Sequence, residues 1–209
     1  IGTPEMYNQK IKNLAQDTTS PYGKVLKFPL KALSAPQKGL FDIYSSGHRN
    51  PQGMHLLGDR LYLVEHGPKG GDEINIISQG GNYGWPIISL GSSYDDKIEH
   101  QTLAAAGQKR AFTNPLFSFV PSIGISDLTG CPQVVADRYK PLDCLLAASL
   151  RANSIFVILA DGESKAIASV EKIQFKERIR DFVKTTTNKT TFLTDHEGAF
   201  QATFEKIVE

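Results

Sequence analysis

Short runs of β-branched, aliphatic and aromatic residues, broken by Gly, Pro, Asn and Asp, recur along almost the whole chain and read as strands. The clearest lie at 24–28, 61–64, 73–77, 116–120, 144–148, 154–159, 168–175, 179–183, 190–194 and 202–207. Helical signals are confined to 9–15 and to 100–109, where Leu103-Ala104-Ala105-Ala106 stops at Gly107. A weak internal repeat groups the strands. Arg49-Asn50 precedes 61–64 and then 73–77; Pro121-Ser122 precedes 144–148 and then 154–159; residues 178–180 precede 190–194 and then 202–207. Each unit is a polar-tipped inner strand, an apolar strand, and a further strand after a tight turn. The period, roughly 55–75 residues, exceeds the ~40–50 of compact propeller blades, and insertions such as 91–111 account for the excess. The pattern predicts an all-β fold: a β-propeller of four-stranded blades, about three to four of them, with 24–28 the remnant of an earlier blade. Rings close with about four to eight blades. Three would leave strand edges open, so residues 1–209 are expected to be part of a larger propeller, its amino-terminal blades missing, or to be completed by a second chain, for instance as a homodimer.

Composition narrows the function classes. The 209 residues fit one domain and allow two. Lys+Arg 23 against Asp+Glu 22 leaves a net charge of +1, which argues against nucleic-acid binding by bulk positive charge and against an acidic disordered tail. No apolar run is long enough to span a bilayer. Ile1-Gly2-Thr3-Pro4 carries no signal-peptide pattern. Cys131 and Cys144 lack CxxC spacing; they fit either one bridge in an oxidising compartment or two buried thiols.

Candidate chemistry concentrates in Gly47-His48-Arg49-Asn50-Pro51-Gln52-Gly53 and in the stretch from Glu65-His66-Gly67-Pro68 to Asp72-Glu73-Ile74-Asn75. Gly67-Pro68 after a strand end forces a turn and leaves main-chain carbonyls free to point at a hard cation such as Ca²⁺, with Asp72 and Glu73 close by to supply charge. A solvated Gly-rich hairpin fits the same spacing. Lys69 precedes its glycine pair with no Gly-Lys-Ser/Thr, so this is not a Walker-type phosphate loop. Arg178 and Arg180, two apart in a strand, share a side and repel unless solvent or an anion lies between them. Arg49 and Arg151 sit at comparable blade tips, which points to a polyanionic ligand on the axis; exposed strand-end arginines are the plainer alternative. His48 and His66 flank the motifs, whereas His55, His100 and His196 stand alone without zinc spacing. There is no G-x-S-x-G elbow for a serine nucleophile.

These residues, with Gly23-Lys24-Val25-Leu26, Gly81-Asn82-Tyr83-Gly84-Trp85-Pro86, Val120-Pro121-Ser122, Ser149-Leu150-Arg151 and Glu177-Arg178-Ile179-Arg180-Asp181, resemble the later part of the soluble glucose/sorbosone (aldose sugar) dehydrogenase family. The resemblance implies a six-bladed propeller that binds pyrroloquinoline quinone (PQQ) and Ca²⁺ and oxidises aldoses at C1 to lactones. It implies that the Gly67 and Pro68 carbonyls hold the cofactor's Ca²⁺. Arg49, Asn50, Ser122, Arg151, Arg178 and Arg180 would line the quinone, and Glu73 with the Tyr83 carbonyl would hold a second Ca²⁺. It also implies a periplasmic or secreted protein, a small sugar as partner and an unidentified electron acceptor. The family's opening blades and their catalytic histidine have no counterpart here, so no catalytic base is assigned and residues 1–209 alone are expected to be inactive. Phe117, Val120 and the segment 124–139 depart from the pattern. A non-catalytic, calcium-stabilised propeller that binds or scaffolds is the alternative reading.

Overall fold

The computed structural model describes residues 1–3, 13–30, 41–92 and 112–205. A two-stranded sheet of β1 (Lys24–Lys27) and β2 (Asp42–Ser46) comes first. A four-stranded sheet follows, made of β3 (Pro51–Leu57), β4 (Arg60–Glu65), β5 (Asp72–Ile77) and β6 (Phe117–Phe119). The next is β7 (Ile125–Gly130), β8 (Asp143–Ser149), β9 (Ser154–Asp161) and β10 (Ala166–Gln174). The last is β11 (Ile179–Thr185), β12 (Lys189–Thr194) and β13 (Ala199–Thr203). Within each sheet the strands are antiparallel and ordered as in the chain, and β7 packs against both β3 and β11. These are consecutive blades of a β-propeller, with β1–β2 the partial sheet ahead of them.

Burial on both faces shapes the central strands. Along β8, Leu145 and Ala147 face the core shared with the first blade, where Tyr62, Val64, Ile74 and Ile125 gather. Leu146 and Ala148, pointing the other way, join Ile179 and Phe192 of the third blade. Successive strand residues point to opposite faces, so a strand sandwiched between two cores has no solvent face to keep polar. β4 repeats the arrangement: Tyr62 and Val64 turn to the second blade, Leu63 to Val25, Ile77 and Tyr83.

Two inner strands escape that pattern and the sequence conceals them, whereas the third, β11, coincides with the run expected at 179–183. β3 and β7 fall outside the clear apolar runs because they carry Pro51, Gly53, Asp127 and Gly130 and bend. Each innermost strand has one extra, unpaired residue near its start: Gln52 in β3, Ser126 in β7 and Arg180 in β11. Such bulges bend a strand and re-aim the side chains beside it. The departing segment 124–139 contains β7 and a single-turn helix, α1 (Gln133–Ala136). The last described strand, Ala199–Thr203, overlaps the start of the expected 202–207, of which 206–207 lie outside the described residues; in it Phe200 stacks on Phe192 with centroids 6.0 Å apart. Of the expected helix at 9–15, a 3-10 turn at Asn13–Ala15 is described; 100–109 lies outside the described residues. Cys131 and Cys144 form a disulfide, Cα atoms 5.4 Å apart, which settles the open alternative and ties the end of β7 to the start of β8.

Side chains also fasten one blade to the next. Tyr62 donates its hydroxyl to Asp143 Oδ2 at 2.5 Å and Arg60 Nε donates to the same oxygen at 2.7 Å, joining the starts of β4 and β8. Between the inner strands, the Phe182 amide donates to Asp127 Oδ2 at 2.8 Å. Gly53 is required beside it, because a Cβ there would lie 2.3 Å from Asp127 Oδ1. Burial first, and then the neighbouring Asp181 carboxyl, push Asp127 up to about 6.

Two outcomes follow from this packing. Leu146→Ala should destabilise by about 2–5 kcal/mol through lost burial and a cavity, whereas Leu56→Ala, at a side chain 62% exposed, should stay within about 0.5 kcal/mol; urea unfolding compares them. A carboxyl raised above its unfolded value stabilises most below that value and loses the contribution as pH rises through the folded one. Wild-type stability should therefore fall between about pH 4 and pH 6–7 through Asp127. Asp127→Asn, a mimic of the protonated acid, should be more stable than wild type at pH 8 by about 1–2 kcal/mol after screening. Parallel pH profiles for the two proteins would contradict this.

Candidate functional site

Four chain segments meet at one end of the first two blades. The lead into β3 brings Arg49 and Asn50, the β4–β5 loop brings Gly67 and Pro68, the lead into β7 brings Ser122, and the β8–β9 turn brings Arg151. Together they line a cavity of about 380 Å³. His66 and Lys69 also line it, and among the described lining residues there is no Asp or Glu. The wall is thus cationic. No sequence motif marks Lys69 as a wall residue; its main chain pairs with Ser92 in both directions, N–H to carbonyl at 2.9 and 3.0 Å, which fixes the loop that carries it.

The loop owes its shape to glycine and to one acid. A Cβ on Gly67 would fall 2.2 Å from the Gly70 carbonyl oxygen, so only glycine fits. Asp72, fully buried, accepts hydrogen bonds from the Gly67 amide (3.2 Å), the Ser122 hydroxyl (2.5 Å) and the amides of Ile123 (3.1 Å), Gly124 (2.7 Å) and Ile125 (3.0 Å). Burial opposes its ionisation, but the His66 ring, Ser122 and the Ile125 amide outweigh this and hold the carboxyl below its ordinary value. Asp72 thus stands beside the turn, as expected, with its oxygens taking donors from both blades. Ser122 in turn gives its proton to Asp72, so it presents lone pairs to the cavity and is not half of a serine–histidine pair. The turn is completed by the Leu150 amide on Gly124 O (2.8 Å) and the Arg151 amide on Ile123 O (2.9 Å), which seat Arg151.

Behind this wall lies a second, tighter group. His48 is wholly buried, its Nδ1 2.9 Å from Glu65 Oε1 and its Nε2 2.8 Å from Ser45 Oγ, and its ring stacks on Tyr83 at 4.7 Å. The Glu65 carboxylate fixes Nδ1 as the donor, so Nε2 accepts from Ser45. Glu65 Oε2 takes the Arg49 amide at 2.7 Å, which sets the start of β3. The Arg49 guanidinium lies 5.3 Å from the Trp85 ring centroid and donates to the His66 carbonyl at 3.1 Å. Asn75 Nδ2 bridges the two acids, 3.1 Å from Glu65 Oε1 and 3.2 Å from Glu73 Oε2, while its buried Oδ1 has no partner. Burial first, and then repulsion from Glu65, push Glu73 up to about 8. Glu65, Glu73, Tyr83 and the Gly67–Pro68 turn line a small void of about 10 Å³, the size of a single water or ion. Among the described residues no three His, Cys, Asp or Glu side chains are grouped as a metal centre, so main-chain oxygens would have to complete any ion site.

Arg178 and Arg180 stand outside the cavity lining. The anion between them is the chain's own Asp195, 2.8 Å from Arg178 Nε and in a forked pair with Arg180. Their mutual repulsion, read in the sequence as a demand for a ligand, is already relieved.

The chain belongs to the glucose / sorbosone dehydrogenase family, whose model matches residues 1–202. An uncharacterized protein of Synechocystis sp. is 29% identical over 205 residues, 93% of this chain and 48% of that protein. Quinoprotein glucose dehydrogenase B of Acinetobacter calcoaceticus is 39% identical over 93 residues, 42% of this chain and 19% of that one. The structure of the soluble aldose sugar dehydrogenase of Escherichia coli in the apo form superposes with a TM-score of 0.67 at 26% identity, covering 95% of this chain and 57% of that one. The chain thus spans about half the length of the relatives it matches along most of its sequence.

The buried group makes a direct prediction. Glu65→Gln would turn an amide donor toward either the Arg49 amide or Asn75 Nδ2, leaving buried donors facing each other. It should cost about 3 kcal/mol, read by urea unfolding; an unchanged midpoint would show that Glu65 does not anchor the site.

Proposed function

We propose that residues 1–209 form the later blades, a partial propeller domain, of a PQQ- and Ca²⁺-dependent dehydrogenase that oxidises aldoses at C1 to lactones. The observation that carries this reading is the cavity whose described lining brings Arg49, Lys69 and Arg151 together with the Gly67–Pro68 turn. An anionic, multiply carboxylated ligand bridged by a hard cation suits such a donor set. Arg49, Asn50, Ser122 and Arg151 would hold the quinone, with Arg178 and Arg180 reaching it only by sharing or releasing Asp195. The Gly67 and Pro68 carbonyls would hold its Ca²⁺. A second Ca²⁺ would sit by Glu73 and the Tyr83 carbonyl. The orphaned Asn75 Oδ1 and the close Glu65–Glu73 pair fit a missing positive charge in that region.

Bound there, PQQ would supply the two-electron acceptor and Ca²⁺ the polarisation of its carbonyl. The chain's own part is binding and orientation: arginine forks would hold the ligand's carboxylates, and misplacement by about 1 Å can cost roughly a hundredfold in rate. The base that takes the C1 hydroxyl proton, worth about 10²–10⁴, is assigned to no residue here. Turnover is therefore placed in the longer protein and not in these blades. The Cys131–Cys144 bond supports an oxidising compartment, periplasmic or extracellular.

The test titrates the 209-residue chain and the longer protein with PQQ in the presence of Ca²⁺, following quinone absorbance, then adds an aldose and an artificial electron acceptor. Both should bind PQQ, only the longer protein should turn over, and Arg49→Ala or Arg151→Ala should weaken binding by about 10–100-fold. A longer protein that folds, binds Ca²⁺ and ignores PQQ would overturn the reading in favour of a calcium-stabilised binding module.

A further inference from the structure

We propose that Asp72 is the positioning residue of this site: a single buried carboxylate that sets the Gly67–Pro68 turn of one blade against Ser122 and Arg151 of the next. This rests on the reading of the cavity as a cofactor site. The three consecutive amides of Ile123, Gly124 and Ile125 converge on Asp72 Oδ2 at 2.7–3.1 Å. Such a concave run of N–H groups ordinarily receives a ligand's anion; here the chain fills it with its own. The other oxygen takes the Gly67 amide and the Ser122 hydroxyl. The Gly67 amide and the His66 ring, 3.6 Å from Oδ1, come from the β4–β5 loop, the other four donors come from the lead into β7 and its first residue, and Asp72 itself opens β5. The carbonyls that face a cation and the side chains that face an anion are therefore registered through one group. Arg151 follows, since its amide hangs on the Ile123 carbonyl at 2.9 Å. Asp72 touches no ligand in this scheme. It is absent from the cavity lining and acts only by holding groups that line it.

The isosteric Asp72→Asn replaces one acceptor oxygen with a donor and must lose part of this set. The control is Arg60→Ala, which removes the Arg60–Asp143 contact between the same two blades but starts at the opposite end of β4. With Ca²⁺ present and PQQ followed by absorbance, Asp72→Asn should bind at least about tenfold more weakly. Arg60→Ala should bind as wild type does even where urea shows both variants equally destabilised. Equal affinity for the two variants would overturn the proposal and leave Asp72 a structural residue. Amide hydrogen exchange on the wild-type chain decides independently, both if Asp72→Asn fails to fold and if the wild type binds no PQQ, the result that sinks the cofactor reading alone. Gly67, Ile123, Gly124 and Ile125 should open as one unit, with protection within about threefold. A Gly67 amide that exchanges more than about tenfold faster than the other three would show that the blades are not coupled through Asp72.

Discussion

The central strands of this protein have no outside. β4 and β8 lie in the middle of their own sheets and between two neighbouring blades, so both rows of their side chains enter cores, and hydrogen bonds on both edges occupy the backbone. Everything polar is consequently driven to the strand ends and to the inner strands. Glu65 and Ser149 close β4 and β8 at the end where the cavity forms; Arg60 and Asp143 open them at the other and meet there. The chemistry of the site sits where it does because it is excluded from the strand middles.

That exclusion also separates what could be read in the sequence from what could not. Leu61 to Val64, Cys144 to Ala148 and Ser154 to Leu159 stand out as apolar runs because both of their faces are buried. The blade count came from their repetition. β3 and β7 were hidden because a bulged strand beside a channel tolerates Pro51, Gly53 and Asp127, which break any alternation. In the site, Gly67-Pro68 and Arg49-Asn50 were legible as local motifs. The role of Asp72 was not, since its partners are main-chain amides 51 to 53 residues away, and an amide leaves no mark on the sequence. Asp195 is similarly hidden: nothing in its neighbours says that it lies between Arg178 and Arg180.

The two acidic groups behind the wall behave in opposite ways for one physical reason. Asp72 is surrounded by donors, so its charge is solvated by the protein itself and burial is tolerated. Among the described residues Glu73 has one side-chain donor, Asn75, and another acid nearby, so its charged form is poorly compensated. A hydrogen-bonded anion of the first kind is finished structure; one of the second kind gains from any positive charge brought beside it.

The extra residue in each inner strand has a wider meaning. Gln52, Ser126 and Arg180 occupy the same station in three successive blades, an amide, an alcohol and a guanidinium, each looped out of the ladder that its neighbours obey. Because the looped-out residue has no cross-strand partner, its identity is uncoupled from the register of the sheet. The side chains released in this way are spent on contacts outside their own ladder: Ser126 Oγ donates to the Ile179 carbonyl of the next blade at 2.6 Å, and Arg180 pairs with Asp195.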